Sequence, residues 1–256
     1  MAFTLLDDTY DAYGLFEELQ QLTKAMERYS KDAMDELQGD YLKSIYEIVL
    51  NISDEVEEQV SKEGRPFSVS YTKAEVIKLV QSYHVQALWA HEHIRPTLDE
   101  YLENGKWSSG FIVTMALLMS GMEEVEEASY QWLMNIDAEF LRAPPRTELN
   151  FICVGRSSNE GRGEQGTTFY AFLLYEGIRC FKEGGDRERI KDAWKDMNEG
   201  FMVRPMPVPR QVLKVGFNMA GLAEVFYKDG NGFTSPGASH QHYYTQVLFD
   251  PIYLAE

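Results

Sequence analysis

An all-α fold is predicted for this 256-residue chain. Apolar residues recur at helical spacing along most of its length, two Thr-x-x-Glu sequences have the form of helix N-caps, and no stretch reads as a sheet.

The first predicted element is the apolar run Ala2-Phe3-Thr4-Leu5-Leu6, which closes on the acidic sequence Asp7-Asp8-Thr9-Tyr10-Asp11. Leu15, Leu19, Leu22 and Met26 then form one stripe at helix spacing, and Met34, Leu37, Tyr41, Ile45, Ile48 and Val49 form a second. Thr72-Lys-Ala-Glu75 has capping-box form ahead of Val76 and Leu79, which predicts a helix start there. Pro96 is expected to end that helix, and Thr97-Leu-Asp-Glu100 to start the next. Further helices are predicted near 107–122, 124–135, 187–199, 208–228 and 239–249. Asn104-Gly105 and Asp229-Gly230-Asn231-Gly232 read as turns between elements.

Composition bounds the function. The formal charge of −17 leaves no basic stripe to neutralise a phosphate backbone, which argues against a nucleic-acid partner. The longest apolar run, Gly110 to Met122, is too short and too interrupted by Thr114 and Ser120 to cross a bilayer, so it reads as a buried helix. Two cysteines, Cys153 and Cys180, do not make a disulfide framework and are compatible with a reducing compartment. Because Met1 leads directly into the acidic helix, no signal or transit peptide is expected, and the expected location is the cytoplasm, with the plastid left open. Asn51-Ile52-Ser53 then reads as a chance match to a glycosylation acceptor.

The acidic sequence carries the chemistry. Side chains at i and i+4 of a helix share a face one turn apart, so the Asp7 and Asp11 carboxylates can close on one hard cation. Taken alone, the same residues describe a solvated acidic turn at a helix end. Other motifs carry less. Gly161-Arg-Gly163-Glu-Gln-Gly166 fits GxGxxG, yet no βαβ pattern surrounds it and it reads as a loop. His91-Glu92-His93 lacks the HExxH spacing of a zinc site and reads as a solvated helix end. Trp89, Trp107, Met115 and Met119 are expected to fill core space.

Several separated segments, in order, carry a resemblance: LLDDTYDAYG at 5–14, FEELQQLTKAMERY at 16–29, ALWAHEHIRPTLDEYLENG at 87–105, SSGFIVTMALLMSGM at 108–122, RIKDAWKDMNEGF at 189–201 and VFYKDGNGFT at 225–234. The chain resembles the metal-binding catalytic domain of plant class I terpene synthases, most closely the sesquiterpene branch. The resemblance implies a helical terpenoid-synthase bundle over 1–256, incomplete at its N-terminus because such enzymes carry further helices ahead of the acidic motif. It also implies Asp7, Asp8 and Asp11 as the metal-binding set, with Asp7 and Asp11 in direct contact and Asp8 orienting its neighbours. The implied cofactor is magnesium, or manganese in its place, and the implied substrate is a prenyl diphosphate, farnesyl diphosphate first. Divalent ions would bridge the anionic chain and its anionic substrate. Tyr227, Phe233 and Tyr10 correspond to pocket positions where a ring face can stabilise a carbocation. The family usually reads Asp-Gly-Asp-Gly-Tyr where this chain has Asp229-Gly230-Asn231-Gly232-Phe233, so one acid and one phenol are replaced.

The segment 144–185 departs from its surroundings, with seven of the nineteen glycines, both cysteines and no aspartate. There the family places a second metal motif, an Asn/Asp, Ser/Thr and Glu series at i, i+4 and i+8, and no register supplies it: Asn150 is followed by Val154 and Ser158, and Glu160 is preceded by Arg156 and Ile152. Codons available to Leu174–Lys182, read one nucleotide later, can spell Tyr-Met-Lys-Glu-Tyr-Gly-Val-Ser, as family members read near this point, which suggests an out-of-frame segment. Two alternatives to an active cyclase therefore stand: a catalytically inactive fragment or gene-model product, and a helical interaction protein that self-associates through exposed helix faces.

Overall fold

The computed structural model describes residues 2–134, 185–202, 204–206 and 208–227, with a few isolated positions beyond. Among these residues the regular structure is entirely helical, in agreement with the predicted all-α class. The helices are α1 (Ala2–Asp8), α2 (Phe16–Arg28), α3 (Asp40–Lys62), α4 (Phe67–His91), α5 (Leu98–Ser108), α6 (Phe111–Ser120), α7 (Glu127–Met134), α8 (Gly185–Met202) and α9 (Arg210–Tyr227). A π-turn, Thr9–Tyr13, follows α1, and a 3₁₀ turn, Lys31–Glu36, follows α2.

The long helix α4 is the centre of the bundle, packing on α2, α3, α5, α6 and α7. Val76, Leu79, Val80 and Tyr83 join Leu6, Leu19, Leu22, Met26, Leu42, Tyr46 and Val49 in one core. A second core lies between α6, α7 and α9, where Phe111, Met115, Met119, Tyr130, Leu133, Val212 and Leu213 are buried. Arg65, in the turn before α4, ties the two regions together: its guanidinium donates to the Met122 carbonyl and to Glu63. Met115 and Met119 are core residues as expected and Trp107 packs against the second core, whereas Trp89 is only half-buried.

The α5 start is the predicted one. Thr97 Oγ1 accepts from the Glu100 N–H at 3.3 Å while Glu100 returns to the Thr97 N–H at 2.8 Å, a reciprocal cap. Other boundaries differ from expectation, and Asn104-Gly105, read as a turn, lies inside α5. Thr72 is no cap: α4 begins five residues earlier, and the buried Thr72 hydroxyl bonds back to the Ser68 and Val69 carbonyls inside the helix. The stripe from Met34 to Val49 is split, because Gly39 at φ 109° adopts a backbone that only glycine takes readily, and α3 starts after it. Likewise Gly110 at φ 73° divides the expected 107–122 helix into α5 and α6. α4 ends at His91, five residues before Pro96, with His93 at φ 54° turning the chain. His91, Glu92 and His93 are exposed, as a solvated helix end requires. The segment 144–185 up to residue 184, and most of 239–249, lie outside the described residues.

Candidate metal centre

The acidic sequence sits where an α-helix widens. Asp7 and Asp8 are the last two residues of α1, and Asp11 lies in the π-turn that continues it. In a regular α-helix a residue four positions on overshoots its predecessor by about 40°, since a turn takes 3.6 residues. The wider i→i+5 turn that follows, Thr9–Tyr13, shifts Asp11 back from that overshoot. Both are half-buried, and Asp8 beside them is exposed.

Four contacts hold the turn in this form. The Gly14 N–H donates to the Thr9 carbonyl at 2.8 Å, closing the wide ring, and Thr9 Oγ1 donates to the Leu5 carbonyl at 2.7 Å. Tyr10 drops into the first core, its hydroxyl 2.7 Å from Thr23 Oγ1 and its ring 5.8 Å from that of Tyr83 on α4. Thr23 in turn donates to the Leu19 carbonyl at 2.8 Å. Burial pushes the Tyr10 phenol well above its usual range, so it stays a neutral hydrogen-bonding group. Gly14 is required by space: a Cβ there would lie 2.4 Å from Leu19 Cδ2 and 2.9 Å from the Thr9 carbonyl oxygen. With Leu6, Thr9 and Tyr10 facing inward, Asp7, Asp8 and Asp11 are left on the outer side.

Asp7 and Asp11 each offer hard carboxylate oxygens on this anchored turn, a donor type suited to hard divalent cations rather than to a soft metal. Among the described residues no group of three or more His, Cys, Asp or Glu side chains is arranged to hold a metal ion. Tyr227 is the last residue of α9, and Phe233 lies outside the described residues. Helical periodicity does not single out Thr23 and Tyr83 as supports of the turn; the one available signal is Thr23, a polar residue inside the apolar stripe of α2 and so in need of a partner.

Residues 1–143 match the profile of the terpene synthase family, metal binding domain. The chain belongs to that family. Among curated terpene synthases it is 30% identical to (+)-delta-cadinene synthase isozyme A of Gossypium arboreum over 97% of this chain and 45% of that protein. It is 36% identical to probable terpene synthase 6 of Ricinus communis over 90% of this chain and 41% of that one. The isoprene synthase of grey poplar superposes with a TM-score of 0.82 at 22% identity, over all of this chain and 48% of that structure. A limonene synthase solved with 2-fluorolinalyl diphosphate gives 0.84 at 24% identity, over 98% of this chain and 47% of that structure. The bundle is therefore of the terpene-synthase type, and the chain spans less than half the length of these relatives. No helix among the described residues is long and apolar enough to cross a membrane.

Proposed function

We propose that this terpene-synthase chain supplies the metal-binding edge of a magnesium-dependent cyclase that ionises a prenyl diphosphate, farnesyl diphosphate first, and closes the resulting carbocation to a sesquiterpene. The observation that carries this reading is the seating of Asp7 and Asp11 on one side of a turn whose intervening residues, Thr9 and Tyr10, are locked in the core. Two relatives add support: an isoprene synthase structure holds three Mg2+ ions with dimethylallyl-S-thiolodiphosphate, and a protein of Phyla dulcis 33% identical to this chain is a bifunctional sesquiterpene synthase.

Asp7 and Asp11 would hold the ion, and exposed Asp8 would orient what surrounds it. Magnesium, or manganese in its place, supplies charge neutralisation and polarisation of the diphosphate leaving group. The protein's own part is positional. Its carboxylates attract cations without donating a proton to the leaving group, and the charge of −17 makes direct binding of a bare diphosphate unfavourable. Tyr227 and Phe233 are proposed as ring faces toward the cation, with Tyr10 as the ring beneath the metal edge.

Incubation with Mg2+ and prenyl diphosphates of ten, fifteen and twenty carbons, followed by analysis of volatile hydrocarbons, tests the reading. A sesquiterpene from the fifteen-carbon substrate, lost in Asp7→Ala/Asp11→Ala, supports it. The second reading, a chain that does not turn over, rests on the Asn150 and Glu160 registers, which lack the Ser/Thr and Glu partners of a second metal motif. Binding of Mg2+ without product favours that reading, and a discrete oligomer without ion binding favours an interaction protein.

A further inference from the structure

Five residues beyond Asp11, the ring of Phe16 opens α2 and is gripped from two sides by α4. His91 stacks on it at 4.1 Å between centroids and 8° between planes, and His84 at 5.5 Å and 13°. His84 and His91 are seven residues apart, two turns of one helix, so they present their imidazoles on the same side with the phenyl ring between. Only two residues, Gly14 and Leu15, separate this ring from the π-turn that carries Asp11. The turn is thus pinned at two points: inside by Tyr10 on Thr23, and at its exit by Phe16 on the two histidines.

We infer that Phe16, His84 and His91 form a clamp that positions the Asp7/Asp11 edge, and that opening of this clamp on acidification weakens divalent-ion binding. The inference rests on the metal reading above and adds a positioning set and a proton dependence to it. His84 is the weak member. Its Nδ1 is sealed from solvent and has no hydrogen-bond partner among the described residues, so a proton added there would be a buried charge without an acceptor. Burial accordingly holds the His84 imidazole below its usual range; Glu27 of α2 opposes this and Lys24 of α2 reinforces it. Glu27 is itself engaged by the Gln81 side-chain amide at 2.7 Å, and His91 has Glu92 at 3.9 Å on α4. The neutral stack is the native form. As pH falls below the ordinary range of histidine, protonation favours states in which the His84 ring has left the stack, and the exit of the π-turn loses its anchor.

Mn2+ binding to the full chain, followed by the spectroscopic signal of the free ion, tests this without relying on turnover. Three proteins are compared between about pH 7.5 and about pH 5.5, a window that spans histidine titration and lies above that of ordinary carboxylates. His84→Phe keeps a ring on Phe16 and removes the proton site, so it is expected to match the unmodified chain at the upper pH and to hold its affinity at the lower one. The unmodified chain should weaken about threefold or more over that range, and Phe16→Ala should be weaker about three- to tenfold throughout. A His84→Phe profile that falls in parallel with the unmodified chain overturns the proton dependence, and Phe16→Ala that unfolds cooperatively yet binds as tightly overturns the clamp. Absence of Mn2+ binding by the unmodified chain at every pH is a different failure: it removes the Asp7/Asp11 reading and this one with it.

Discussion

Gly14, Tyr10 and Glu75 each do something a neighbouring residue type could not. At Gly14 any side chain must displace Leu19 or the Thr9 carbonyl, so Gly14→Ala is expected to destabilise the fold by about 1–3 kcal/mol, read as a lower midpoint in urea. Tyr10→Phe keeps the ring and leaves Thr23 with its own bond to Leu19, so the cost should be only about 1 kcal/mol. Glu75 poses the opposite problem. Its side chain is 1% exposed, one oxygen is 2.8 Å from Lys78 Nζ, and the other has no hydrogen-bond partner among the described residues. Lys78 meanwhile lies 4.5 Å over the Trp107 ring, which gives its ammonium a second source of stabilisation. Burial raises the Glu75 carboxyl above its usual range, more than the Lys78 pairing lowers it. A raised acid contributes stability that is present below its unfolded value and lost as pH rises through the folded one. Relative to Glu75→Gln, the unmodified chain should therefore gain stability on going from neutral to mildly acid pH, while the background repulsion among surface acids cancels in the difference. Parallel pH–stability curves for the two proteins would contradict this.

Helices are where sequence pattern and structure agree best, and turns where they part. The stripe of α2 is legible because Leu19, Leu22 and Met26 repeat with the helix period and all three are buried. Leu15 extends the same pattern and yet is two-thirds exposed at 66%, because it caps the helix with its N–H on Glu18 rather than packing. Breaks at Gly39 and Gly110 are invisible to periodicity, since apolar residues continue on both sides; only the positive φ reveals them. Thr72 misleads for a related reason: a Thr-x-x-Glu sequence inside a long helix has the same letters as a cap, but its hydroxyl is already used by carbonyls one turn back. Thr97 and Thr72 thus make a matched pair of tests. Thr97→Ala should cost about 1 kcal/mol through the lost cap of α5. Thr72→Val, whose hydroxyl serves only its own helix beside an apolar hollow of about 170 Å³, should be close to neutral in thermal unfolding. In the acidic turn, the spacing of Asp7 and Asp11 is legible and its widening is not, because that widening depends on Thr23 and Tyr83, partners distant in sequence.

Among the described residues, two large cores joined through α4 and a small cluster around Met197 and Ala220 underlie a strongly anionic chain, which corresponds to less than half the length of its relatives. Leu5, Ile48, Ile52 and Leu118 are large apolar side chains left more than a third exposed, on α1, α3 and α6. A net charge of −17 favours solubility while opposing compaction, so added salt should raise the unfolding temperature, and divalent ions should raise it further at equal ionic strength if a specific site exists. That second increment isolates the central claim. Isothermal titration of Mg2+ into the intact chain, beside Asp7→Ala/Asp11→Ala of equal thermal stability, measures it most directly. Saturable binding that disappears in the double variant is expected; equal binding by both proteins would rule out Asp7 and Asp11 as the ion's ligands.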